Sequence, residues 1–217
     1  MSNRFQRIRV KICGLTREAD IDAAVAAGAD ALGFVLWPGS KRAIDEARLA
    51  ELAARVPAFV TRVGLFVDQE ATLIERASAH LDLLQFHGDE SPAFCTSFGR
   101  PWIKALRMRD GLDLPAMADA YQEAQALLLD AYRPGVPGGT GETFDWSRIP
   151  ASLAKPVILA GGLTPANVAE AIRTVRPFAV DVSGGVERSP GIKIPERIDD
   201  FLRQVFLAQS TDFLDKT

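Results

Sequence analysis

The sequence predicts an α/β fold, a single-domain (β/α)8 TIM barrel, on three observations. Short runs rich in Val, Ile, Leu and Phe alternate with Ala-rich segments of helical period, the pattern of repeated βα units around a parallel sheet. Several of the runs are apolar at almost every position, as in Ala126-Leu127-Leu128-Leu129, which suits strands covered on both faces. Eight such units also occupy the whole 217-residue length, leaving no second domain to account for. A doubly wound open sheet shares the alternation, but no Gly-x-Gly-x-x-Gly follows the first run, so the barrel is preferred.

Strands are expected at 8–13, 30–36, 60–67, 82–86, 102–107, 126–131, 156–160 and 178–182. Helices are expected near 17–27, 45–55, 70–79, 91–98, 115–124, 165–174 and 196–207, with a weaker one near 145–149. Thr16 before Arg17, Ser91 before Pro92 and Thr164 before Pro165 read as N-caps followed by a first-turn residue. The Pro/Gly-rich stretches 134–141 and 183–191 read as loops, because regular structure resumes after each. The polar segment 208–217 reads as a frayed tail.

Composition narrows the function. With 47% hydrophobic and 24% charged residues the chain can bury a large core and stay in solution. A net charge of −3 offers no basic footprint for a nucleic acid. The first residues lack the apolar run of a secretory signal and no later stretch has the length of a membrane span, so a cytoplasmic protein with no membrane partner is expected. Cys13 and Cys95 are too few for a disulfide framework, and neither they nor the two histidines have a zinc-ligand spacing. No metal is expected.

In a barrel of this kind chemistry belongs at the C-terminal ends of the strands. Lys11-Ile12-Cys13-Gly14-Leu15-Thr16 places a thiol there, ahead of a helix whose N-terminus is expected to draw its pKa from about 8.5 toward neutrality; a buried small apolar residue is the alternative reading. Leu127-Leu128-Leu129-Asp130 places a carboxyl at the end of strand six, where burial raises its pKa above about 3.9 and fits it to donate a proton. Loop capping is its alternative. A base and an acid on opposite sides of one mouth favour the chemical reading of both.

Gly161-Gly162 ends strand seven, and Ser183-Gly184-Gly185 ends strand eight. Glycine pairs let the backbone approach an anion, and these loops are where many barrels hold a substrate phosphate; either pair alone reads as a turn. Arg42, in Ser40-Lys41-Arg42 after strand two, has the fork that suits a carboxylate, or lies on a solvated loop. His87, in Gln85-Phe86-His87-Gly88-Asp89-Glu90 after strand four, is polar lining of the site or a loop residue.

These motifs, with Val63-Gly64-Leu65-Phe66-Val67, Gly138-Gly139-Thr140-Gly141-Glu142-Thr143-Phe144-Asp145-Trp146, Leu159-Ala160-Gly161-Gly162-Leu163-Thr164-Pro165 and Pro190-Gly191-Ile192-Lys193, occur in an order that resembles the phosphoribosylanthranilate isomerase family over nearly the entire chain. The resemblance implies a general base at Cys13, a general acid at Asp130, an arginine for the anthranilate carboxylate at Arg42 and a phosphate cradle at the glycine pairs. It implies an Amadori rearrangement of N-(5-phosphoribosyl)anthranilate, without redox cofactor or metal, in tryptophan biosynthesis. A monomer acting on a small phosphorylated substrate is expected. Glu142 stands where many members have Lys, Gly184 where Ser is common, and Ile194 where an Asp is usual. Indole-glycerol-phosphate synthase, which depends on a lysine acid and a longer N-terminal extension, ranks second because the first strand begins near residue 8. A sugar-phosphate-binding barrel without catalysis is the third reading, disfavoured by the presence of both Cys13 and Asp130.

Overall fold

The computed structural model describes residues 7–131 and 144–214. Eight parallel strands close into a barrel in sequence order: β1 (Arg9–Cys13), β2 (Ala31–Val35), β3 (Thr61–Phe66), β4 (Leu83–Phe86), β5 (Trp102–Arg107), β6 (Leu127–Asp130), β7 (Val157–Leu159) and β8 (Ala179–Val182), with β8 pairing back onto β1. All eight expected strands are present, and none pairs out of order. Around them lie α1 (Glu18–Ala27), α2 (Glu46–Ala54), α3 (Ala71–Ser78), α4 (Pro92–Thr96), α5 (Leu114–Ala120), α6 (Val168–Val175) and α7 (Pro195–Leu214). A small antiparallel pair, β9 (Glu187–Ser189) and β10 (Ile192–Lys193), follows β8 inside what the sequence read as a loop.

Side chains alternate between two cores, as strand geometry requires. Outward residues such as Leu32, Phe34, Phe86, Leu127, Leu129 and Val180 pack against the helices. Inward residues Ile103, Ala105, Ala126, Leu128, Ile158, Ala160 and Ala179 fill the barrel on the β5–β8 side. The same alternation, opposite Val10 and Ile12 of the outer core, turns Lys11 and Cys13 of β1 inward. The same inward faces also carry buried charge, at Lys11 of β1, Asp130 of β6 and Asp181 of β8.

Several local expectations are corrected. Ser91 caps α4 by accepting from the Phe94 N–H at 3.2 Å, as expected. Thr16 caps no helix: its Oγ1 donates to the Gly191 carbonyl at 2.6 Å, tying β1 to the β9–β10 turn, and α1 begins only at Glu18. Thr164 is likewise displaced, since α6 starts at Val168, with Asn167 Oδ1 accepting from the Thr164 N–H at 2.8 Å. The weak helix near 145–149 is a 3-10 turn, Trp146–Arg148. Helix α7 continues to Leu214, into the segment read as a frayed tail, and Gln209 Oε1 accepts from the Ile8 N–H at 2.9 Å. A polar side chain there anchors the chain's two ends to one another. The Gly-Gly-Thr-Gly-Glu-Thr part of the 138–146 motif, with Glu142, lies outside the described residues.

Candidate active site

Strand direction brings the C-terminal ends of all eight strands to one mouth, and the residues singled out by sequence gather there. Cys13 ends β1, Asp130 ends β6, and His87 follows β4; each is more than nine-tenths buried. Asp130 Oδ1 accepts from the Ala131 N–H at 2.9 Å, and Oδ2 stands 3.5 Å from His87 Nε2. Burial first, then the nearby Asp181 carboxylate, pushes the Asp130 carboxyl up to about 7. Near neutral pH it is poised between donating and accepting a proton. His87 moves the other way, down to about 3, because burial and the cations Arg107, Lys11 and Lys104 disfavour a second proton. It lines the mouth as a neutral imidazole whose Nε2 has no hydrogen-bond partner.

Cys13 does not follow the sequence expectation of a lowered pKa. Burial raises it, and Lys11 opposes that rise only in part. The anticipated helix N-terminus is too distant and too acidic to help: α1 starts at Glu18 and carries Glu18 and Asp20 in its first turn. The cation facing the thiol is Lys11, two residues back on the same strand and on the same inward face. Its Nζ is held at 2.8 Å by Asp181 Oδ1, from the adjoining strand β8, in a pair buried on both sides. Gly33 of β2 leaves the room these groups occupy, since a methyl there would stand 2.7 Å from Cys13 Sγ and 3.1 Å from Lys11 Nζ.

The two glycine turns differ. Gly161 and Gly162 both have left-handed backbones, with φ of 79° and 67°, and a side chain at Gly161 would run into the Ala131 N–H and Asp130 Oδ1. Asn167 braces this turn by donating through Nδ2 to the Gly162 carbonyl at 3.0 Å. Gly185 sits under the neighbouring loop, where a methyl would stand 1.9 Å from the Leu163 carbonyl oxygen; Gly184 faces open space edged by Arg42 and Glu187. Ser183 Oγ lies 3.5 Å from Lys193 Nζ.

Arg42 reaches across Gly14 to this side of the mouth, where Glu187 accepts from its Nε at 2.9 Å and from its Nη2 at 2.7 Å. Sequence reasoning named Arg42 but not Glu187, and named neither Lys11, Asp181, Arg107 nor Asn167 as part of the site. Lys11 and Asp181 were visible as charges inside otherwise apolar strands, a costly placement that marks a packed pair. No such signal pointed to Glu187, which only the β9–β10 turn folds back onto Arg42. Among the described residues there is no group of three or more His, Cys, Asp or Glu suited to a metal.

A closed parallel barrel with a buried thiol, a carboxyl near neutrality and an arginine at one mouth belongs to the class of barrels built for acid–base chemistry on a small anionic ligand. The family model for N-(5'-phosphoribosyl)anthranilate (PRA) isomerase matches residues 10–204, and the chain belongs to that family. The isomerase of Chromohalobacter salexigens is 74% identical over 210 residues, covering 97% of this chain and 100% of that protein. That of Nitrosococcus oceani is 52% identical over 201 residues, covering 92% and 98%. Among solved structures, phosphoribosyl anthranilate isomerase from Thermotoga maritima superposes with a TM-score of 0.84 at 39% identity, over 92% of this chain and 98% of that one. A family structure in complex with reduced 1-(o-carboxyphenylamino)-1-deoxyribulose 5-phosphate superposes with a TM-score of 0.78 at 36% identity, over the same shares.

Proposed function

We propose that this chain converts N-(5-phosphoribosyl)anthranilate into 1-(2-carboxyphenylamino)-1-deoxyribulose 5-phosphate in tryptophan biosynthesis, with Asp130 as general acid and Cys13 as general base. The observation that carries the reading is the pairing of a carboxyl held near pH 7 with a thiol beside a buried ammonium at one barrel mouth. Asp130 gives its proton to the furanose ring oxygen, the ring opens, and the nitrogen lone pair forms the Schiff base to C1′. Cys13, as the thiolate, takes the C2′ proton and leaves an enolamine. Tautomerisation then returns the Cys13 proton to C1′ and passes the enol proton to Asp130, so the acid and the base regain their starting states. C1′ is reduced as C2′ is oxidised, which makes this an internal aldose–ketose redox isomerisation that needs no redox cofactor.

Arg42 is assigned to the anthranilate carboxylate and His87 to the lining of the substrate cavity. Gly161, Gly162, Ser183, Gly184 and Gly185 are assigned to the phosphate. Gly161 packs against the Ala131 N–H and Asp130 Oδ1, Gly184 lies beside Arg42 and Glu187, and Gly185 sits against the Leu163 carbonyl. Every assigned group comes from one barrel, so one chain in the cytoplasm is the proposed working unit. Freshly made phosphoribosylanthranilate, followed by loss of its fluorescence, tests the proposal; folded protein with no turnover of it overturns the reading.

A further inference from the structure

Glu187 and Lys193 are buried charges that the acid–base steps do not use, and they form one triad with Arg42. Glu187 Oε1 accepts from Arg42 Nε at 2.9 Å, Lys193 Nζ at 2.8 Å and the Gly191 N–H at 3.1 Å; Oε2 accepts from Arg42 Nη2 at 2.7 Å. The remaining protons of Lys193 go to the carbonyls of Cys13 and Ser183. An ammonium has three donors, so Lys193 is saturated. A guanidinium has five donors in a rigid plane, and Glu187 occupies the Nε–Nη2 edge. What the triad leaves open is the other edge, formed by Nη1 and the second proton of Nη2. Arg42 Nη2 itself lies beside Gly184, where a methyl would stand 3.5 Å from it.

The charge count points the same way. Two cations face one carboxylate, and Arg197 adds a further cation by donating to the Glu187 carbonyl oxygen at 2.7 Å. Cations outnumber the one carboxylate in this cluster, a surplus that favours a bound anion. We infer that Glu187, braced by Lys193, is a positioning residue that locks the side edge of Arg42 so that its end edge alone receives the carboxylate of the substrate. Glu187 therefore keeps its hold on Arg42 when substrate binds. A carboxylate that merely occupied the guanidinium until substrate displaced it would let go instead.

The inference rests on the proposed substrate, and the experiment separates the two. Wild-type kcat/KM is first measured on the phosphoribosyl adducts of anthranilate and of aniline, which lacks the carboxylate. Turnover of neither adduct defeats the proposed function. Given turnover, the preference for the anthranilate adduct is expected to fall roughly tenfold or more in Glu187→Gln, through KM, because an amide repels the Nη2 donor and lets the guanidinium turn. Glu187→Asp, which keeps the charge, is expected to recover part of the preference. An unchanged or increased preference in Glu187→Gln overturns the inference. If that variant does not fold, the wild-type protein decides: the Arg42 Nε–H signal in a 15N NMR spectrum stays hydrogen-bonded when the reduced product analogue is added. Release of that bond on binding overturns the inference.

Discussion

Two buried lysines, both on barrel strands, have opposite surroundings. Lys104 of β5 points outward between barrel and helices, where its Nζ donates to Glu90 Oε2 at 2.7 Å and to the Gly88 carbonyl at 2.8 Å, and lies 5.3 Å from the centre of the Tyr121 ring. Glu90 is in turn bonded by the Asp68 and Gly88 N–H groups, and Tyr121 donates to its carbonyl. Lys11 of β1 points inward and pairs with Asp181 at 2.8 Å, beside the Cys13 thiol and on the same side of the barrel as the open mouth. Each lysine has a buried cysteine in its field, Cys95 in one case and Cys13 in the other. Burial and ion pairing are common to both clusters, so neither identifies a site. What separates them is that the outer cluster ties Lys104 to the loop after β4, and the inner one lies inside the barrel beside the Cys13 thiol.

The comparison is sharpest in turnover. Cys13→Ser and Asp130→Asn are each expected to lower kcat by roughly 10²–10⁴-fold with little change in thermal unfolding near pH 4, because acid–base groups contribute on that scale. Steady-state kinetics beside calorimetry check this. Near-full activity in either variant removes that residue from the chemistry.

Lys104→Met is expected to do the reverse, costing about 3–5 kcal/mol of stability by leaving Glu90 buried without its cation. Adding Glu90→Gln should restore most of the loss, and urea unfolding of the single and double variants measures it. If the single variant is as stable as wild type, the outer pair is not the fold's own.

A smaller effect follows from the Asp130 carboxyl, raised from 3.8 to about 7 in the folded protein. Protonation favours the folded state there, so the stabilisation is complete below about pH 4 and is lost progressively as pH rises from 4 to about 7. Asp130→Asn should therefore gain stability over wild type at pH 8, on the order of a few kcal/mol, and match it at pH 4. Equal differences at both pH values would mean that the carboxyl is ionised throughout.

The smallest effect contrasts the thiols. Burial pushes Cys95 up to about 12, while Lys11 holds Cys13 below what burial alone would impose. Iodoacetamide at pH 8 is expected to label Cys13 several-fold faster, and Lys11→Met to erase most of the difference. Mass spectrometry of the two peptides reads it directly; labelling that ignores Lys11 refutes the role assigned to that ammonium.

The sequence by itself determined the strand count, the parallel order and the strand ends on which Cys13, Asp130 and His87 sit. These follow from the period of apolar residues along the chain, a local property that a closed sheet preserves. It also made Arg42 and the glycine pairs visible, since residue type limits what each can bind. Tertiary structure alone decided how those groups behave. The Cys13 pKa turned on burial and on Asp181 holding Lys11, rather than on the helix that follows in sequence; Thr16 bonds to Gly191, far along the chain, instead of capping α1. Arg42 is held by Glu187, and Gln209 of α7 accepts from the Ile8 N–H. In each case the deciding partner is remote in sequence, and desolvation and hydrogen bonding depend on which groups are near in space.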